Sequence, residues 1–123
     1  MNYWFLMSGG FISFLGVLIH GIIGTRIYMN DINKSDLDAL TKSLSLISWH
    51  VFTIFLFIGT VTLIIVAYNP SLRIVAYPII IINAIGAILF VYLGLGSHKA
   101  LLKMPGAYLM ASTAIVSYLG IAL

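Results

Sequence analysis

Four long stretches of this 123-residue chain carry no charge at all: residues 1–25, 43–72, 74–98 and 104–123. An α-helix rises ~1.5 Å per residue, so about 20 apolar residues are enough to cross a hydrocarbon core. Each stretch meets that length. Charged residues make up 7% of the whole and hydrophobic ones 62%, whereas a soluble domain carries roughly 25% charged residues. The pattern predicts an all-α integral membrane protein of four transmembrane helices, with spans at about 3–29, 37–68, 72–98 and 105–123. Short connections make successive helices antiparallel neighbours, so the expected packing is an up-down-up-down bundle forming one domain over 1–123.

The boundaries follow from local signals. Tyr3 and Trp4 suit one membrane interface, and Arg26 with Tyr28 the other. The first stretch has no basic n-region and no Ala-x-Ala site, so it is expected to stay as a first helix. Asn30 to Ser35 reads as a polar connection. Ser35-Asp36-Leu37-Asp38 reads as a helix N-terminus, with Asp38 and Lys42 paired at i, i+4. Span 2 ends at Tyr68-Asn69-Pro70-Ser71, because proline lacks a backbone donor and disfavours helix in the residue before it. Span 3 then starts either at once, with Asn69 as cap, or after Pro78. Met104-Pro105-Gly106 opens span 4.

The charges also orient the chain. Arg26, Lys34 and Lys42 flank the first connection and Lys99 and Lys103 the third, against Arg73 alone on the other side. Short basic loops resist translocation. The expected location is the plasma (inner) membrane, with both termini outside and loops 30–36 and 99–103 cytoplasmic. The net charge of +3 is explained by this flanking role, and no nucleic-acid partner is expected. The partners read from the sequence are the lipid bilayer and either further copies of the chain or a larger membrane complex.

Within the charge-free stretches the titratable side chains other than tyrosine are histidines: His20, His50 and His98. By helical rise His20 lies ~9 Å inside Arg26 and His50 ~12 Å inside Lys42. All three belong to the same third of the bundle. Gly9, Ser13, Gly16, His20 and Gly24 form one face of span 1, and Asn83, Gly86, Phe90, Gly94 and His98 one face of span 3. Small residues allow close approach of a helix or of a flat ligand.

Neutral imidazole ligates haem iron, copper or zinc. The candidate site is therefore His20, His50 and His98, with Trp49 and Thr53 beside them and Arg26, Lys42 or Lys99 placed to meet haem propionates. His20 and His50 are the candidate metal ligands, for haem b or, together with the thioethers of Met29, Met104 and Met110, for copper. A quinone held by a histidine and Thr53, with Trp49 and Tyr92 on its ring, is the organic alternative. A proton relay through the histidines is another use of the same groups.

The competing reading is a structural or accessory subunit whose histidines only bridge helices. A small transporter or channel is a further one. Acyl or phosphoryl transfer needs a nucleophile, a base and an orienting acid, and the three acids are all in the first connection. An enzyme is not the favoured reading. With no cysteine, thiolate metal sites and disulfides are excluded.

Overall fold

A computed structural model of the chain describes residues 1–123, and it is all helix. Four helices carry it: α1 (Tyr3–Lys34), α2 (Ala39–Tyr68), α3 (Ala76–Leu95) and α4 (Gly106–Ala122). Pro70–Val75 and Lys99–Lys103 are single 3₁₀ segments leading into α3 and α4. The first two helices, and the third with its 3₁₀ lead, are long and apolar enough to cross a membrane; α4 is shorter, at 17 residues.

Helix α1 runs five residues beyond the expected end. Asn30–Lys34 is helical rather than a loop, and Ser35 closes α1 by donating to the Ile32 carbonyl instead of opening α2. Asp38 caps α2, accepting from the backbone N–H and the hydroxyl of Thr41 at 3.0 and 2.6 Å. The carboxylate turns to Thr41, not to Lys42. These bonds favour its charged form and hold its pKa below the ordinary value. A depressed pKa stabilises the fold above the unfolded value and stops doing so as pH falls through the folded one. Hydrogen-exchange protection of the Thr41 amide should therefore be greatest at neutral pH and decline below the usual carboxylate range. Asp38→Asn, which can still cap, should remove that pH dependence.

Helix α3 resolves the two proline alternatives by a third arrangement. The chain turns into a 3₁₀ segment at Pro70, and the α-helix starts at Ala76, so Pro78 sits harmlessly in the first turn. At its far end the helix stops at Leu95, short of His98.

Between Ile19 and Met29 the backbone of α1 is a π-helix, with bonds running i→i+5. Two side chains reach its carbonyls. Trp49 Nε1 donates to His20 O at 3.0 Å, and the Thr25 hydroxyl to Gly21 O at 2.7 Å. Gly24 and Met29, five residues apart, are the buried positions of this segment.

Helix α1 packs between α2 and α4, and α4 also packs along α3. Small residues make the approach close. A side chain on Gly9 would collide with Ser117 of α4, and one on Gly10 would press on Ile64 of α2. The buried Ser13 hydroxyl donates across to Leu56 O at 3.0 Å. The end that holds both chain termini is tied by Tyr3 to Tyr68, hydroxyl to hydroxyl at 2.9 Å, and by Asn2 N–H to Gly120 O at 2.7 Å. The ring is weakest between α2 and α3, which are joined at their turn and pack far less closely beyond it. The core proper, around Leu6, Leu63, Val66, Ala76, Ile80 and Ala114, lies in the half of the bundle that holds both chain termini. Large apolar side chains including Phe11, Ile54, Phe57, Ile85, Ile88 and Ile115 cover the outside.

Candidate functional site

The other half of the bundle is hollow. A cavity of about 930 Å³ extends from Ser13, Leu56 and Thr113 in the middle to Ala100, Leu101 and Met104 at the end bearing the basic connections. Its walls are mostly apolar, and the one carboxylate among them is Asp31. The hollow lies where α2 and α3 pack little beyond their turn.

The polar group built most firmly into the wall is His20. Its imidazole stacks on the Trp49 indole, centroids 4.0 Å apart and planes 14° from parallel, and meets the Phe52 ring edge-on at 4.9 Å. Nδ1 lies 2.9 Å from the Thr53 hydroxyl, whose oxygen also lies 3.3 Å from Trp49 O. With the hydroxyl proton on the shorter contact, Nδ1 accepts from Thr53 and the uncharged ring presents Nε2–H as a donor. Trp49 is locked as well: its Nε1 is shared between His20 O and the Thr25 hydroxyl, at 3.0 and 3.1 Å. Its ring lies where Gly24 has no side chain. The glycine at 24 thus makes room for an indole, and the π-helix carbonyl at 20 gives it a partner.

Of the residues singled out from the sequence, His20, Trp49 and Thr53 come together. His50 does not join them. Trp49, Thr53, Leu56, Thr60 and Leu63 form the inward stripe of α2 at spacings of four and three, and His50 is rotated ~100° from it and exposed. Arg26 and His98 are exposed too, and neither lines the cavity. His98 begins the 3₁₀ segment, beyond the end of α3. Tyr92, expected on a ligand ring, is 74% exposed and lies outside the cavity wall. No group of three or more histidine or carboxylate side chains gathers anywhere in the molecule. Met29, Met104 and Met110, in contrast, all line the cavity with His20.

The wall residues not singled out as site residues in the sequence include Asn83 and Thr113. Asn83 belongs to the small-residue row of α3, whose other members pack on α4 and its approach: Gly86 against Met110, Phe90 against Gly106 and Gly94 against Leu102. An amide in a row that is otherwise small or apolar was the available signal.

Comparison with known protein families, characterised proteins and solved structures finds no match to this chain.

Proposed function

We propose that the chain is a multi-pass integral membrane protein that binds an apolar, ring-bearing organic ligand of the quinone class in the cavity beside His20 and Trp49. The observation that carries the reading is an imidazole held by Thr53 and Trp49 in the wall of an otherwise apolar cavity of about 930 Å³. Such sites bind by apolar enclosure and fix orientation with a few polar groups. The apolar exterior supports insertion in a bilayer, since soluble proteins rarely expose large contiguous apolar patches. The basic connections support an orientation with both termini outside and the hollow half toward the cytoplasm.

An organic ligand is favoured over a haem held by two histidines because His50 is exposed and outside the cavity wall. A cuprous ion on His20 and methionine thioethers is a second reading, favoured by the three methionines that share the wall. Copper analysis of the purified protein separates the two.

The test uses Trp4→Phe protein, in which Trp49 is the sole tryptophan of the original two. Titration with a short-chain prenylated benzoquinone should quench its fluorescence saturably. His20→Leu should weaken binding by about tenfold, the effect of losing one hydrogen bond in a desolvated site. Absence of saturable quenching, together with no ring compound in an organic extract of the purified protein, would sink the proposal.

A further inference from the structure

The inner end of the cavity holds a hydrogen-bond acceptor with nothing to accept. Asn83 is 6% exposed, and its amide nitrogen donates to Ile79 O at 2.9 Å. A carbonyl can only accept, so this bond fixes which end of the amide is which. The atom left over is Oδ1, buried and without a partner. Leaving a buried acceptor unsatisfied costs its desolvation, whereas an apolar residue of the same shape would cost nothing. Asn83 borders the cavity, so such an atom just behind the wall is a place for a donor.

Asn83 borders the main cavity and also a satellite of about 20 Å³ next to it. Phe52, Leu56 and Met110 border both as well and form the partition. Met110 is the unbranched one, and its flexible thioether chain can swing aside where a β-branched side chain could not. The satellite itself is walled by Phe55, Ile79 and Ile82 besides these residues, so it offers no second polar side chain. A water bound there would have too few partners, since buried waters typically make about three hydrogen bonds.

We infer that the ligand of this cavity carries a hydroxyl, which passes Met110 and donates to Asn83 Oδ1, so that the site selects a hydroxylated apolar molecule over its ketone or ether counterpart. The inference rests on the cavity being a ligand site, as proposed above, and adds the chemistry of the group at its inner end. Two sources offer that chemistry: a ring hydroxyl, as in a hydroquinone, and the terminal alcohol of an isoprenoid chain.

Both are tested on full-length Trp4→Phe protein by Trp49 fluorescence. One arm compares a prenylated hydroquinone, kept anaerobic, with its quinone and its dimethyl ether. The other compares farnesol with farnesyl methyl ether. In at least one arm the hydroxyl compound should bind about tenfold tighter, and the arm that discriminates names the source. Asn83→Leu should abolish the preference, and a helical circular dichroism spectrum equal to the parent's shows that the variant is folded. Its thermal stability without ligand should match or exceed the parent's.

Equal affinities within both pairs would overturn the inference and leave the cavity reading intact. So would a preference that survives Asn83→Leu. Failure of every probe to bind would overturn both.

Discussion

Replacing Gly120 by leucine should force α1 and α4 apart and destabilise the bundle by about 3 kcal/mol, at the upper end of overpacking effects. A side chain at this position would start 2.8 Å from Leu6 Cγ and 3.0 Å from Leu6 N. The second neighbour is backbone, which cannot turn away, and Leu6 is fully buried. The same glycine accepts the 2.7 Å bond from Asn2 N–H, so separation also breaks the tie that holds the start of the chain. Gly16→Ala is the matched control. Its new methyl would meet Leu56 at 3.6 and 3.7 Å, ordinary contact distances, and alanine is the better helix former by roughly 0.5–1 kcal/mol. Unfolding of both variants by denaturant in mixed micelles, against the parent, is the measurement. A Gly120→Leu protein as stable as Gly16→Ala would mean that α1 and α4 are not packed as described.

The second large effect is expected at Trp49. Trp49→Ala removes the ring stacked on His20 and the filling of the notch at Gly24, and large-to-small changes of this kind cost about 3–5 kcal/mol. It also removes two hydrogen bonds that bind α2 to the π-helical part of α1. Trp49→Phe separates these contributions. Most of the packing stays, the Nε1 donor goes, and the cost should fall to about 1 kcal/mol. The same unfolding assay checks both. Ligand affinity should follow a different order: both variants lose the locked imidazole partner, so both should bind the quinone probe more weakly. If Trp49→Ala is no less stable than Trp49→Phe, the indole is not seated in the α1 notch.

The distribution of charge made the helices legible, because placing a charge in an apolar span is expensive and the spans therefore stand out by its absence. The antiparallel order and the gathering of Lys34, Lys42, Lys99 and Lys103 at one end were legible for the same reason. Helix ends were less so. Ser35, Asp36 and Asp38 are all acceptable caps by residue type, and only the hydrogen bonds distinguish Asp38, which opens α2, from Ser35, which closes α1.

The site was partly legible. The row Ser13, Gly16, His20, Gly24 does face α2, where it meets Leu56, Thr53 and Trp49. Depth alone grouped His50 with His20, but depth says nothing about rotation. The stripe through Trp49, Thr53 and Leu56 was readable at helical spacing and already excluded the next residue from the interior. Met29 could not be placed by that means. Its burial five residues after Gly24 follows from i→i+5 bonding, which no apolar periodicity of 3.6 residues announces. The hollow itself arises from what α2 and α3 do not do along most of their length, and absent contacts leave little trace in composition.

The π-helix also changes how this chain would tolerate a difference in length. Each of its turns carries more residues than an α-turn, so Ile19–Met29 holds surplus chain. A version one residue shorter there could tighten a turn to α-helix and leave the two ends of α1 facing as they do. The same loss between Tyr3 and Leu18 would rotate the two parts of the helix by ~100° against each other, parting the Gly120 contact from the His20 contact. Length variation among sequences of this kind should therefore collect in that segment, beside the cavity, rather than in the tightly packed half that holds both termini.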